Sequence, residues 1–384
     1  DVVVVTVVNA DDPECNYVSE ETVIGEDPSF SAGGLNDEVF ALQFVGDGLV
    51  VGGNFTLFSA TTANRFTKLL LTGALDTDFN TNMGSGFDAA VQELALDLDG
   101  NLVVVGLFSN VDGNAYSHIA KIGTDGTPDL TFSVGTGFNN TFTTDVDMRP
   151  SGSYIITGNF TSYSGTTANS IIARLPTGAI DTSFVYGSGF NSTTGRVVYD
   201  PFTDTILVSG NSFTTYDGNT VRFGVATIVR INLDGTFNSV VATHTDGTDP
   251  QFNAGIRGLS VMADGRIVVT GDFTIYDGTA VGHIAVLNTD GTLDTAFMSN
   301  MGSAFSDWTT RSKVQFDGEV MVGVYNTTTT TFDGADANGM IRLESTGVRD
   351  LTFNTGVGFN GRTGPSDEDG TNAYVGGNFT QLNS

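Results

Sequence analysis

Side chains able to do acid–base, nucleophilic or metal chemistry are scarce in this sequence, carboxylates apart. The three histidines, His118, His244 and His283, are dispersed, and none has the spacing of a metal cluster. Cys15 is the sole cysteine, so no intrachain disulfide can form, and no Cys–His motif is present. No Gly-x-Ser-x-Gly elbow or phosphate-binding loop occurs. Two carboxylates facing each other across a channel could hydrolyse a glycosidic bond. With 44 acidic residues, however, no pair stands out. Asp97-Leu98-Asp99-Gly100-Asn101 and Asn110-Val111-Asp112-Gly113-Asn114 carry oxygen ligands at alternate positions, as calcium loops do. Both lack the later bidentate Glu and coincide with hairpin turns, so turn chemistry explains them better. The expectation is a protein that is not an enzyme, with no catalytic, cofactor-binding or metal-ligating residue and no cofactor. Calcium is the one ion whose ligand type is present.

The elements that would position any site come from a repeat. Val50-Val51-Gly52-Gly53-Asn54-Phe55-Thr56 returns in variant form along the whole chain. Its aromatic anchors are Phe55, Phe108, Phe160, Phe213, Phe273, Tyr325 and Phe379. Their spacing is close to 52 residues, except for a longer step between Phe213 and Phe273. Each unit reads as four strands. In the second they are Val91 to Leu98, a turn at Asp99-Gly100, Leu102 to Phe108, Ser117 to Ile122, and Asp129-Leu130-Thr131-Phe132. The Asp-x-x-Phe of the fourth segment starts at Asp27, Asp76, Asp129, Asp181, Asp249, Asp294 and Asp350. Seven four-stranded antiparallel units predict an all-β, seven-bladed β-propeller, each blade covering the apolar faces of its neighbours.

Residues 1–384 then form one domain, with repeats running from residue 27 to 384. The seventh repeat ends after two strands, and Asp27-Pro28-Ser29-Phe30 carries its missing fourth-strand signature. Residues 1–30 are therefore expected to close the last blade, with Tyr17 to Ile24 or Val2 to Val8 as its third strand. Lys68, Lys121, Arg174, Arg230 and Arg342 share one third-strand position; Asp76, Asp129, Asp181 and Asp350 opposite four of them predict structural cross-strand ion pairs, whereas Arg230 faces Asn238 and lacks one. Tyr163, Tyr216, Tyr276 and Phe332 recur in loops, as packing residues first and a ligand platform second. The stretch from Phe237 to Thr248 is extra and reads as loop-length drift, with a binding loop the alternative. Tyr325 is expected to pack like the phenylalanines it replaces.

Net charge is −29 at pH 7, which repels phosphate backbones and anionic headgroups and so argues against nucleic-acid partners. No apolar run approaches the length of a membrane span, so no membrane insertion is expected. Residues 1–8 have no basic start and no Met, so they are not an intact signal peptide.

Asp181-Thr182-Ser183-Phe184, Gly187-Ser188-Gly189-Phe190 and Ile172-Ala173-Arg174-Leu175, with Gly-Asn-Phe-Thr, resemble the delta-60 repeat family. The resemblance covers nearly all of the chain after Asp27. It implies a β-propeller of bacterial surface proteins and phage virions, with no catalytic motif to carry over. The expected function is an extracellular structural or binding propeller, foremost a virion tail or fibre component. The alternatives are a secreted or cell-surface adhesin and a polysaccharide-acting enzyme. The expected partners are proteins of a virion or surface assembly, or surface glycans.

Overall fold

The computed structural model describes residues 2–6, 34–140, 142–221, 225–241, 252–353, 358–370, 372–380 and 382–383. Among them are seven antiparallel sheets of three or four strands, and no sheet closes on itself. The second is typical. Val91–Leu96 pairs with Leu102–Gly106, which pairs in turn with Ile119–Ile122. The middle strand is buried throughout, as its unbroken apolar run requires. The first strands of the sheets lie side by side in chain order, and Arg362–Glu368 of the last packs against Val39–Phe44 of the first. Each of seven apolar clusters lies between sheets. Val50 and Phe66 of the first sheet pack with Val91 and Val104 of the second, for example. Tyr374 of the last sheet joins Leu49 and Val51 of the first and stacks on Phe44 at 5.9 Å.

The repeated glycine works by close approach. A Cβ on Gly106 would lie 2.3 Å from the carbonyl oxygen of Ala90, so only glycine lets the two strands meet there. In the Asp-Gly turns the expected pair of positive φ angles is not formed. Gly100 alone adopts one, at 83°, while Asp97 accepts the N–H groups of Asp99 and Asn101 through its side chain. In the first repeat the turn uses Gly46 rather than Asp47-Gly48.

The four-stranded reading needs correction. Asp-x-x-Phe is not a strand. Asp76 and Asp294 cap short helices, Thr77–Asn82 and Thr295–Asn300, and Asp129, Asp181 and Asp350 each accept the N–H two residues on. The side-chain acceptor competes with the sheet ladder and wins after one bridge, such as Ile122 to Pro128. Among the described residues only the fourth sheet has a fourth strand, Phe237–Val240, where Asn238 replaces the aspartate. That strand takes up the start of the extra stretch; residues 242–248, with His244, and Asp249 beyond them lie outside the described residues. Phe252 bridges Tyr276, which is the place held elsewhere by the Gly-x-Gly-Phe phenylalanine.

At the chain's beginning, Val2–Thr6 pairs with Asn372–Gly376 as the third strand of the last sheet. Tyr17 to Ile24 and the Asp27-Pro28-Ser29-Phe30 signature lie outside the described residues, as does Cys15.

The third-strand cations also differ from expectation. Lys68 reaches Asp76 at 3.5 Å and Asp47 at 2.7 Å, and Arg342 reaches Asp350 at 2.7 Å. Lys121 turns instead to Asp97 at 2.6 Å and Arg230 to Asp200 at 2.7 Å, both on the first hairpin of their own repeat. Arg174 lies 3.8 Å over the Tyr163 ring, and Asp181 pairs with Arg149.

Candidate functional site

Six of the seven first strands carry a β-bulge at one level, just after their start, for example between Val91 and Glu93. A bulge adds a residue and re-aims a side chain. Gln92, Thr144, Arg257 and Arg311 are bulge residues, and all four line a cavity of about 420 Å³ at the starts of the second to sixth sheets' first strands. Arg196, at the same level of the fourth sheet, joins them, as do Asn211 and Asp272, each just after a second strand. The chain has 15 basic residues against 44 acidic, yet this lining holds three arginines and one aspartate.

The arginines are held in place from below. Glu93 accepts from Arg196 at 3.2 Å and also pairs with Arg311. The Arg196 Nε donates to the Arg257 carbonyl at 2.8 Å, and Arg257 pairs with Asp272. Asp145 lies 4.0 Å from Arg196, and its two oxygens accept the N–H groups of Val146 and Val197. Asp147 repeats this with Met148 and Tyr199, both at 2.7 Å. These carboxylates therefore tie the third sheet to the fourth. Burial pushes Asp145 up to about 7, with Arg196 opposing the rise, and pushes Asp147 up to about 6. Burial also holds Arg196 below its ordinary value.

At the rim of the cavity stand two exposed rings. Trp308 is 41% exposed and Tyr325 43%, with centroids 5.7 Å apart. The Arg257 guanidinium lies 5.4 Å from the first ring and 5.7 Å from the second, and Arg362 lies 5.3 Å from Tyr325 on the next sheet. Tyr325 therefore does not pack like its counterparts. Val324 extends the strand and fills the core, and the tyrosine is turned outward.

The remaining expected residues are structural. Tyr163, Tyr216, Tyr276 and Phe332 are buried, and Tyr276 donates to the Gly291 carbonyl at 2.6 Å. His118 and His283 are buried at positive φ just before their third strands, and burial lowers the pKa of both. In the calcium-like loops Asp97 accepts the N–H groups of Asp99 and Asn101, and Asp112 accepts that of Ser85 while Asn110 donates to Asp88, so the second loop is hydrogen-bonded to the neighbouring 85–88 segment. No group of three or more His, Cys, Asp or Glu among the described residues is arranged to hold a metal ion. A second cavity, near Lys68, is bordered by that lysine's own ion-pair partners Asp47 and Asp76.

Residues 98–132, 149–184 and 263–297 match a family described as a domain of unknown function (DUF5122) beta-propeller. Each match begins near the first hairpin turn and ends on the Asp-x-x-Phe phenylalanine. The fold is a β-propeller. Its solved relatives include the extracellular domain of a hybrid two-component system from B. thetaiotaomicron, at 10% identity, TM-score 0.55, and coverage of 91% of this chain and 39% of that one. Virginiamycin B lyase from Staphylococcus aureus is similar over 92% of this propeller and 98% of its own length, at 12% identity and TM-score 0.51. PorZ, a surface component of the Porphyromonas gingivalis type-IX secretion system, shares 11% identity, with coverage of 91% and 48% and TM-score 0.49. No curated protein matches this propeller in sequence. The lyase corrects one expectation: relatives of this fold include an enzyme, so the reading of the chain as a non-enzyme does not stand.

Proposed function

We propose that this chain is an extracellular binding propeller that takes its ligand at the mouth of the central channel. The observation that carries this reading is the convergence of bulge-aimed Gln92, Thr144, Arg257 and Arg311 on one polar cavity. Several of the remaining cations are held in structural ion pairs away from it. In the same reading, residues 1–384 form one ring of seven blades of the delta-60 repeat kind, latched by the first strand. The pairing of Val2–Thr6 with Asn372–Gly376 and the packing of Tyr374 on Phe44 support that closure. The setting is a surface or virion assembly. Imaging such a particle with the chain labelled tests that part, and label dispersed in solution contradicts it.

Binding is tested on an array of cell-surface glycans and proteins, with the chain and its Gln92→Ala/Arg257→Gln variant. Capture is expected to fall about tenfold or more in the variant, as loss of a charge-assisted contact implies. Equal capture of every ligand by both proteins contradicts the reading.

A further inference from the structure

Trp308 is the only tryptophan of the chain, and it stands in the open. A large aromatic left in solvent beside a cavity is unusual for a residue that gains so much from burial. The sixth repeat reaches this arrangement by giving up the buried anchor. The six phenylalanines at that place are at most 2% exposed, whereas Tyr325 is 43% exposed. Neither the Tyr325 hydroxyl nor the Trp308 indole N–H has a hydrogen-bond partner among the described residues.

We propose that Trp308 and Tyr325, flanked by Arg257 and Arg362, form a subsite for an acidic saccharide, a sugar ring bearing a carboxylate. This inference rests on the binding reading above and gives it a ligand class. The chemistry favours it on three counts. An aromatic face takes the C–H face of a sugar ring, while the unpartnered hydroxyl and indole N–H offer hydrogen bonds at its edge. Arg257 gives its Nε and one Nη to Asp272 and Arg362 gives one Nη to Glu38, and the other Nη of each guanidinium is the group that would donate to a ligand carboxylate. The cavity lining sets polar groups, Gln92, Asn211 and Thr144 beside the arginines, among apolar surface, which suits the hydroxyls and C–H faces of a sugar. A cationic ligand would meet rings already attended by two guanidinium groups.

The sole tryptophan makes the test direct, because its fluorescence reports this subsite alone. The protein is titrated with tetrasaccharides of galacturonate and of glucuronate and with sialyl-lactose, and with the methyl ester of each as the neutral control. A saturable change in emission is expected with at least one acid sugar, and its ester is expected to bind about tenfold more weakly. Tyr325→Ala and Arg257→Gln, with circular dichroism showing the native fold, are expected to weaken binding by a similar factor. Tyr325→Phe, which keeps the ring, is expected to retain it. No saturation with any of the acid sugars at about 10 mM, equal affinity for acid and ester, or folded variants that bind unchanged would each overturn the proposal. If array capture still depends on the mouth while the acid sugars fail, the ligand class falls and the binding reading stands. If capture is independent of the mouth, both fall.

Discussion

Tyr325 and Phe273 occupy the same place in successive repeats, one open to water and the other fully buried. Phe273→Ala is expected to cost about 3–5 kcal/mol and Tyr325→Ala less than about 1 kcal/mol, read from urea unfolding. Comparable losses would show that Tyr325 is an anchor after all. Its departure was not legible from residue type, since Tyr is apolar enough for either place. The signal lay one residue earlier, where Val324 replaces the polar residue found in most other copies. Asp145 and Asp147 give a pH prediction. Burial raises both above the ordinary value, so the folded state holds their protons to higher pH than the unfolded chain does. The stability this confers is present at about pH 4 and is lost as pH rises through about 6 to 7. Thermal melts over that window are expected to show a falling midpoint in the wild type and a flatter course in Asp145→Asn/Asp147→Asn. Parallel slopes would place the titration elsewhere.

The elements divide into those that sequence pattern reports and those that side-chain hydrogen bonding decides. The middle strands were legible because both their faces are buried, which writes an unbroken apolar run such as Leu102 to Val105. The Asp-x-x-Phe segments were misread because a buried phenylalanine looks the same at the end of a strand or of a capped turn. What separates the two is the carboxylate, which satisfies nearby N–H groups that a ladder would otherwise use. The bulges that build the channel mouth were not legible, since one extra residue disturbs an alternating pattern only locally. The arginines did leave a trace, because Arg196 and Arg257 stand at the same offset before Gly210 and Gly271. The same division predicts unequal costs for two aspartates. Asp129→Ala removes a turn cap and is expected to cost about 0.5–2 kcal/mol. Asp200→Ala strands the buried Arg230 and is expected to cost about 3–5 kcal/mol. Equal denaturation midpoints for the two variants would contradict this assignment.

For the whole molecule, closure and binding are separable claims. Deleting residues 1–6 exposes the edge of Asn372–Asn378, and a lower melting temperature is expected, with a midpoint equal to wild type contradicting the latch. The repeat count made the propeller legible from sequence, whereas the mouth needed the strands to be brought together before its residues met. The proposed function rests on an asymmetry between the two ends of the first strands. One end gathers arginines, amides and two open rings, and the other carries the first hairpin turns with Leu98 and Phe316 exposed. The most direct measurement is array capture by Gln92→Ala/Arg257→Gln set beside that by Leu98→Ser/Phe316→Ser, both confirmed as folded. The channel-mouth account predicts that the first variant loses about tenfold or more of the wild-type signal while the second keeps it. Loss confined to the second variant would contradict it.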